Sequence, residues 1–121
     1  MSIENKLEVL TEIEGFLGVG VYSKEGELLA SGKGSALEME MVGALVNNLV
    51  VNAQKTAEEI GLGGSNSVDI ATHEKANIFV RCYSDKKVNF NLILICEEKA
   101  QVGMIRLRLN QVLPSLVEDI A

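Results

Sequence analysis

The sequence predicts an α/β/α sandwich of the α+β class, built on a mostly antiparallel sheet. Three observations carry this expectation. Phe16–Ser23 and the end of Val88–Cys96 are strand-like and apolar on both faces, so helices must cover both sides of the sheet. Short polar connections join the strands, which favours antiparallel neighbours. A long helix-like run, Ala36 to Ile60, separates the first two strands from three later ones.

Taken in order, Ser2 is placed to cap a first helix running from Ile3 to about Glu14, with Ile3, Leu7, Leu10 and Ile13 on one side. Gly15 stops it. Phe16 to Ser23 is the first strand, and Lys24-Glu25-Gly26-Glu27 is a hairpin turn with Gly26 at a positive-φ position. Leu28 to Ser31 is the short return strand. Gly32-Lys33-Gly34-Ser35 is a loop, with Ser35 as the expected cap of the long helix. That helix ends at Gly61-Leu62-Gly63-Gly64, a glycine-rich C-terminus. Ser67 to His73 alternates, with Val68, Ile70 and Thr72 on one face and Asp69 and Ala71 on the other, as suits an exposed edge strand. Asn77–Tyr83 and Val88–Cys96 follow, joined by Ser84-Asp85-Lys86-Lys87. The final helix runs from about Gln101 to Ile120 and buries Val102, Ile105, Leu109, Val112, Leu116 and Ile120. Pro114 should kink or break it near Leu113, because proline removes a backbone donor and clashes with the preceding turn.

With 121 residues, the chain is one domain, 1–121, large enough to fold without a metal or disulfide staple. Aromatic residues make up only 4%, so the core must be aliphatic. A mean hydropathy of +0.19 is high for a small soluble monomer and fits self-association. The net charge of −6, with scattered basic residues, argues against a nucleic-acid partner. No apolar run approaches the roughly 18 residues of a membrane span, and no signal peptide is legible, so a cytoplasmic location without membrane insertion is expected. Cys82 and Cys96 read as two buried thiols.

No constellation of catalytic, cofactor-binding or metal-ligating residues stands out. His73 is the sole histidine, beside Glu74 at a strand end, with no nucleophile tied to it. Gly18-x-Gly20 lies inside a strand, where close packing of a helix explains it better than a nucleotide. Gly32-Lys33-Gly34-Ser35 precedes a helix but lacks the spacing of a phosphate-binding loop. Glu58 with Glu59, and Glu97 with Glu98, read as solvated charges. Arg108 is expected in solvent opposite the buried stripe, and Arg106 nearer its edge, where it can meet a carboxylate.

The long helix carries the strongest functional signal. At about 100° per residue, Val42, Val46, Leu49, Val50, Ala53, Ala57 and Ile60 form one apolar stripe for the sheet. Glu40, Asn47, Gln54 and Glu58 form a narrow polar stripe. A third sector holds Leu37, Met41, Ala44, Leu45 and Val51, mixed with Asn48, Asn52 and Lys55. A single-core domain has little use for a second apolar sector, which points to a protein partner.

The element order, together with two local patterns, resembles the Roadblock/dynein light-chain family. The hairpin from Gly18 to Ser31 is similar to that family's opening strand, glycine turn and small apolar return. Ala100-Gln101-Val102-Gly103-Met104-Ile105-Arg106-Leu107 is similar to the start of its last helix. Ser23 stands where the pattern often has Asp. The resemblance spans roughly Ile3 to Ile120. It implies a five-stranded antiparallel sheet with the long helix on one face and the two terminal helices on the other, in a profilin-like arrangement. It also implies a dimer in which the long helices lie antiparallel and the third strands pair edge to edge. The expected dimer face is therefore Leu37, Met41, Ala44, Leu45, Asn48, Val51, Asn52 and Lys55 on the helix, with Asp69, Ile70 and Ala71 on the edge strand. The family consists of non-enzymatic scaffolds and regulators of Ras-like small GTPases. It includes a gliding-motility regulator that accelerates GTP hydrolysis by rearranging its GTPase, and the compact length resembles that prokaryotic branch. A homodimer binding such a GTPase, with no cofactor, is the resulting expectation. The alternative is a PAS-like or profilin-like small-molecule sensor, or a general protein-interaction adaptor.

Overall fold

The computed structural model describes residues 2–120. Its elements are α1 (Ile3–Thr11), β1 (Phe16–Ser23), β2 (Leu28–Ser31), α2 (Met39–Glu59), β3 (Ser67–Ala71), β4 (Ala76–Ser84), β5 (Asn89–Glu97), α3 (Val102–Ser115) and α4 (Val117–Ile120). One antiparallel sheet has the strand order β2-β1-β5-β4-β3. The doubly apolar β5 is therefore its centre, and β3 is an outer edge, as its alternation predicts. The sandwich has α2 on one face and α1 with α3 on the other.

Alternation along the strands divides the core in two. Leu7, Leu10, Val19, Val21, Leu92, Leu94, Ile105, Leu109 and Leu116 fill the layer beneath α1 and α3. Tyr22, Met39, Val46, Val50, Val80, Ile93 and Ile95 fill the smaller layer beneath α2. The two glycines of β1 serve the second layer. A side chain at Gly18 would strike Met39 Sδ at 2.6 Å, and one at Gly20 would strike the Tyr22 ring. Gly43 of α2 faces the same ring. Tyr22 thus lies in a slot between a strand glycine and a helix glycine, and its hydroxyl donates to Met39 O at 2.7 Å.

Several expectations need correction. Helix α1 ends at Thr11, not near Glu14. Residues 12–15 form turns closed by Gly15 at φ +91°, whose carbonyl accepts from the Glu97 amide at 2.7 Å. Ser2 does cap α1, accepting from the Asn5 amide. Ser35 does not cap the long helix. Its hydroxyl donates to Gly32 O at 2.7 Å and accepts from the Val19 amide, while the Gly32 and Ala36 amides donate to Val19 and Leu17 of β1. The loop keeps pairing along β1, so the chain cannot wind into helix before Met39, and Glu38 stands at the N-cap without a capping side chain.

The buried stripe of α2 is Met39, Gly43, Val46 and Val50, with Val42, Ala53 and Ala57 half-buried. Leu49 and Ile60, expected in that stripe, are exposed. Asn47 and Gln54, of the narrow polar stripe, are half-buried, and Gln54 bonds both polar groups of the Ser65 backbone at 2.6 and 2.9 Å. The helix is rolled toward Tyr22 because Gly43 permits its closest approach there. At the C-terminal end, α3 stops at Ser115 and α4 follows after Leu116, whose amide donates to Leu113 O. Pro114 lies in the last turn of α3, so the interruption falls just after it and not near Leu113. Val102, at the start of α3, is exposed instead of buried, whereas Ile105, Leu109, Val112 and Leu116 are buried.

Candidate dimer face on the long helix and edge strand

Helix α2 makes its principal sheet contacts with β1 and β2. Among the described residues, α2 covers β3 and the outer part of β4 only in part on that side. The α2-facing side chains Val68 and Ile70 of β3, and Ala76 and Ile78 of β4, remain only half-buried. Between this partly covered sheet and the helix runs an apolar groove of about 520 Å3, lined by Leu17, Leu37, Leu45, Leu49, Ile78 and Ile95 among others.

Of the side chains expected on a dimer face, Leu37 and Leu45 line this groove, whereas Val51 and Lys55 line a second groove farther along α2. Met41, Leu45 and Val51 are 54%, 64% and 52% exposed. Leu37 is exposed too, although it precedes the helix. Ala44, Asn48, Asn52 and Lys55 complete an exposed surface on α2. Leu49 joins them at 49% exposure. The heptad-like geometry could have shown this, since Leu49 follows Leu45 by four positions and extends the same ridge. Asp69, Ile70 and Ala71 share the β3 edge but not one face. Ile70 pairs with Ile78 on the α2 side, while Asp69 and Ala71 point to the α3 side.

On that other side, Asp69 accepts from Arg81 Nη1 at 2.6 Å and meets Arg106 Nη2 at 3.6 Å. Arg106 therefore finds the carboxylate expected for it. Arg108 differs from expectation: its Nη1 donates to Val9 O at 2.7 Å, tying α3 to α1. A long guanidinium stem reaches across the helix pair, which a single-helix projection cannot show.

The remaining candidates do not converge. His73 and Glu74 are exposed in the turn after β3. The Gly32-to-Ser35 loop is separated from α2 by three residues, and Ser35 is spent on backbone groups, so it offers no helix-terminal anion cradle. Cys96 is buried and Cys82 half-buried, both as free thiols. Burial pushes Cys96 up to about 11, and raises Cys82 despite the Gln54 amide and Arg81 acting in the opposite direction. Among the described residues, no three His, Cys, Asp or Glu side chains cluster as a metal site, and no helix is long and apolar enough to cross a membrane.

No model of a known protein family matches the sequence. Three archaeal proteins do. The uncharacterized proteins MJ0310 and MJ1340 of Methanocaldococcus jannaschii are each 30% identical over 105 residues, covering 81% of this chain and 92% of theirs. MJ0714 of the same organism is also 30% identical, over 89% of its length. Among solved structures, Myxococcus xanthus MglB superposes with a TM-score of 0.81 at 19% identity, covering 96% of this chain and 92% of that one. A Roadblock/LC7 domain from Streptomyces avermitilis gives 0.82 at 11% identity, covering 98% and 97%. The chain has the Roadblock fold and belongs to the family of these three archaeal proteins. Profilin II of Acanthamoeba castellanii superposes less closely, at 0.57 and 18% identity over 96% of this chain and 94% of that one. The Roadblock fold thus includes the profilin-like layering, and the five-stranded antiparallel sheet with the long helix on one face and the terminal helices on the other, expected from the resemblance, is the one observed.

Proposed function

We propose that this Roadblock-fold chain is a non-catalytic, dimeric regulator or scaffold that binds a Ras-like small GTPase in the cytoplasm. The observation that carries the reading is the unpartnered apolar face of α2 beside the open edge of β3. A second copy related by a two-fold axis would lay its α2 antiparallel against this one and pair its β3 edge to edge, giving one continuous sheet across both protomers. Met41, Leu45, Leu49 and Val51 are each about half exposed. Covering them would contribute about 1 kcal/mol apiece, so roughly 8 kcal/mol for two protomers before the cost of association. That is enough for a stable dimer when backbone pairing along β3 is added.

The GTPase part of the reading rests on the sequence resemblance and on the superposition with MglB, one structure of which is of MglB with a tetrameric arrangement. The test is a binding measurement with a Ras-like GTPase encoded in the same genome, loaded in turn with GDP and with a slowly hydrolysed GTP analogue. Binding in at least one nucleotide state is expected. No binding in either state overturns the GTPase reading and leaves the dimer standing by itself.

A further inference from the structure

The free edge of β3 fixes how a second strand can pair with it. The Cys82 amide donates to Asn66 O at 2.8 Å and the Thr72 amide to Ala76 O at 3.0 Å, in the register of the β3–β4 ladder. Backbone groups alternate in direction along an antiparallel strand, so Val68 and Ile70 also bond toward β4, while Ser67, Asp69 and Ala71 turn their amides and carbonyls outward. β3 has five residues, and Asp69 is the middle one. Two copies pairing about a two-fold axis satisfy all of these outward groups only when the axis passes beside Asp69. Asp69 then lies opposite the partner's Asp69, and Ser67 opposite the partner's Ala71. Moving the axis to Val68 or Ile70 leaves Ala71 or Ser67 without a strand partner.

That register brings two carboxylates together. Residues directly opposite have Cβ atoms about 4.5–5.5 Å apart, and like charges there oppose pairing. Arg81 lies 2.6 Å from Asp69, but it is committed within its own protomer: the same Nη1 also donates to Val80 O, and its side chain is only 11% exposed. Arg106 is different. Its Nη2 lies 3.6 Å from Asp69 Oδ2, too far for a hydrogen bond, and its side chain is 59% exposed. It stands with Asp69, Phe79 and Val102 around the cleft between the start of α3 and the edge of β3. A guanidinium placed against one carboxylate of so close a pair is within reach of the other. We propose that Arg106 of each protomer reaches across the axis and donates to the partner's Asp69, turning a repulsive pair of acids into a lock for a second copy of this chain. Resting on the dimer proposed above, this lock makes the edge self-complementary, because a strand without an acid at its middle position gives the arginine nothing to bind.

The test mixes the full-length variants Asp69→Asn and Arg106→Gln in equal amounts and resolves the dimers by native mass spectrometry. Neither variant alone keeps the lock. Asp69→Asn removes the acceptor from both protomers, and Arg106→Gln leaves the two acids facing each other without these arginines. A mixed dimer regains one pair across the axis, although neither of its protomers has an Asp69–Arg106 pair of its own. Mixed dimers should therefore exceed random pairing, with the equilibrium constant for mixing about two- to fivefold above its random value, the worth of one exposed ion pair. A role confined to one protomer would weaken both variants without favouring their mixture, so random pairing overturns the proposal. So does a mixture that stays monomeric where the wild type dimerises. A wild type that is itself monomeric overturns the dimer and the lock together, and the wild-type control tells that failure from random pairing.

Discussion

Replacing Gly43 with alanine should destabilise the protein, while the same change at Gly103 should stabilise it. Both glycines lie in helices, and alanine gains up to about 1 kcal/mol over glycine in a helix interior. At Gly103 nothing lies within 4 Å of an added methyl group, so the gain is kept, at about 0.5–1 kcal/mol near the helix start. At Gly43 the methyl group would overlap the Tyr22 ring and come within 3.0 Å of Gly26 O. Tyr22 cannot yield easily. Its other flank is Gly20, it is 1% exposed, and its hydroxyl is held by Met39 O. Shifting it costs about 1–3 kcal/mol of overpacking and puts a hydrogen bond worth about 1 kcal/mol at risk. The net expectation for Gly43→Ala is a loss of about 1–3 kcal/mol, opposite in sign to Gly103→Ala. Urea unfolding at one fixed protomer concentration measures both, since a dimer's stability depends on concentration. A neutral or stabilised Gly43→Ala would refute the slot between the two glycines, and with it the seating of α2 on the sheet.

Thiol accessibility gives a further expectation. Cys82 should react slowly with iodoacetamide in the native protein and Cys96 only after unfolding, because burial keeps both protonated and shields Cys96 most; equal native rates would contradict the burial. The β4–β5 turn should respond to acid. Asp85 accepts from the Lys87 and Val88 amides at 2.7 and 2.9 Å, which hold its pKa below the ordinary 3.8. Its folded value is depressed, so the contribution is full above 3.8 and is lost as pH falls through the lower folded value. Chemical shifts of those two amides should titrate there, and Asp85→Asn should flatten the response.

What was legible in the sequence follows from which forces are local. β1 and β2 have the expected boundaries because the doubly apolar first strand and the short return strand are bounded by turn residues that act over four positions, Gly26 at φ +87° among them. The edge position of β3 was legible because its side chains alternate where those of β5 do not. The start of α2 was not, since Ala36 to Glu38 are compatible with a helix and only pairing of residues 32–36 with β1 holds them out of it. The roll of α2 was hidden because a hydropathy pattern gives Gly43 no weight, although it faces the largest side chain in that layer. The same roll exposes Leu49 and buries part of Asn47 and Gln54. Arg108 was misplaced for the same kind of reason: its partner, Val9 O, is 99 positions away and no spacing rule connects them.

The central claim is that the outer face of α2 and the edge of β3 meet a second copy of the chain. Light scattering after size-exclusion chromatography tests it most directly, comparing the wild type with Leu45→Lys. The account predicts a wild-type mass twice that of the 13.1 kDa chain, falling to a single chain in the variant. A wild type that stays at 13.1 kDa across all concentrations would contradict it.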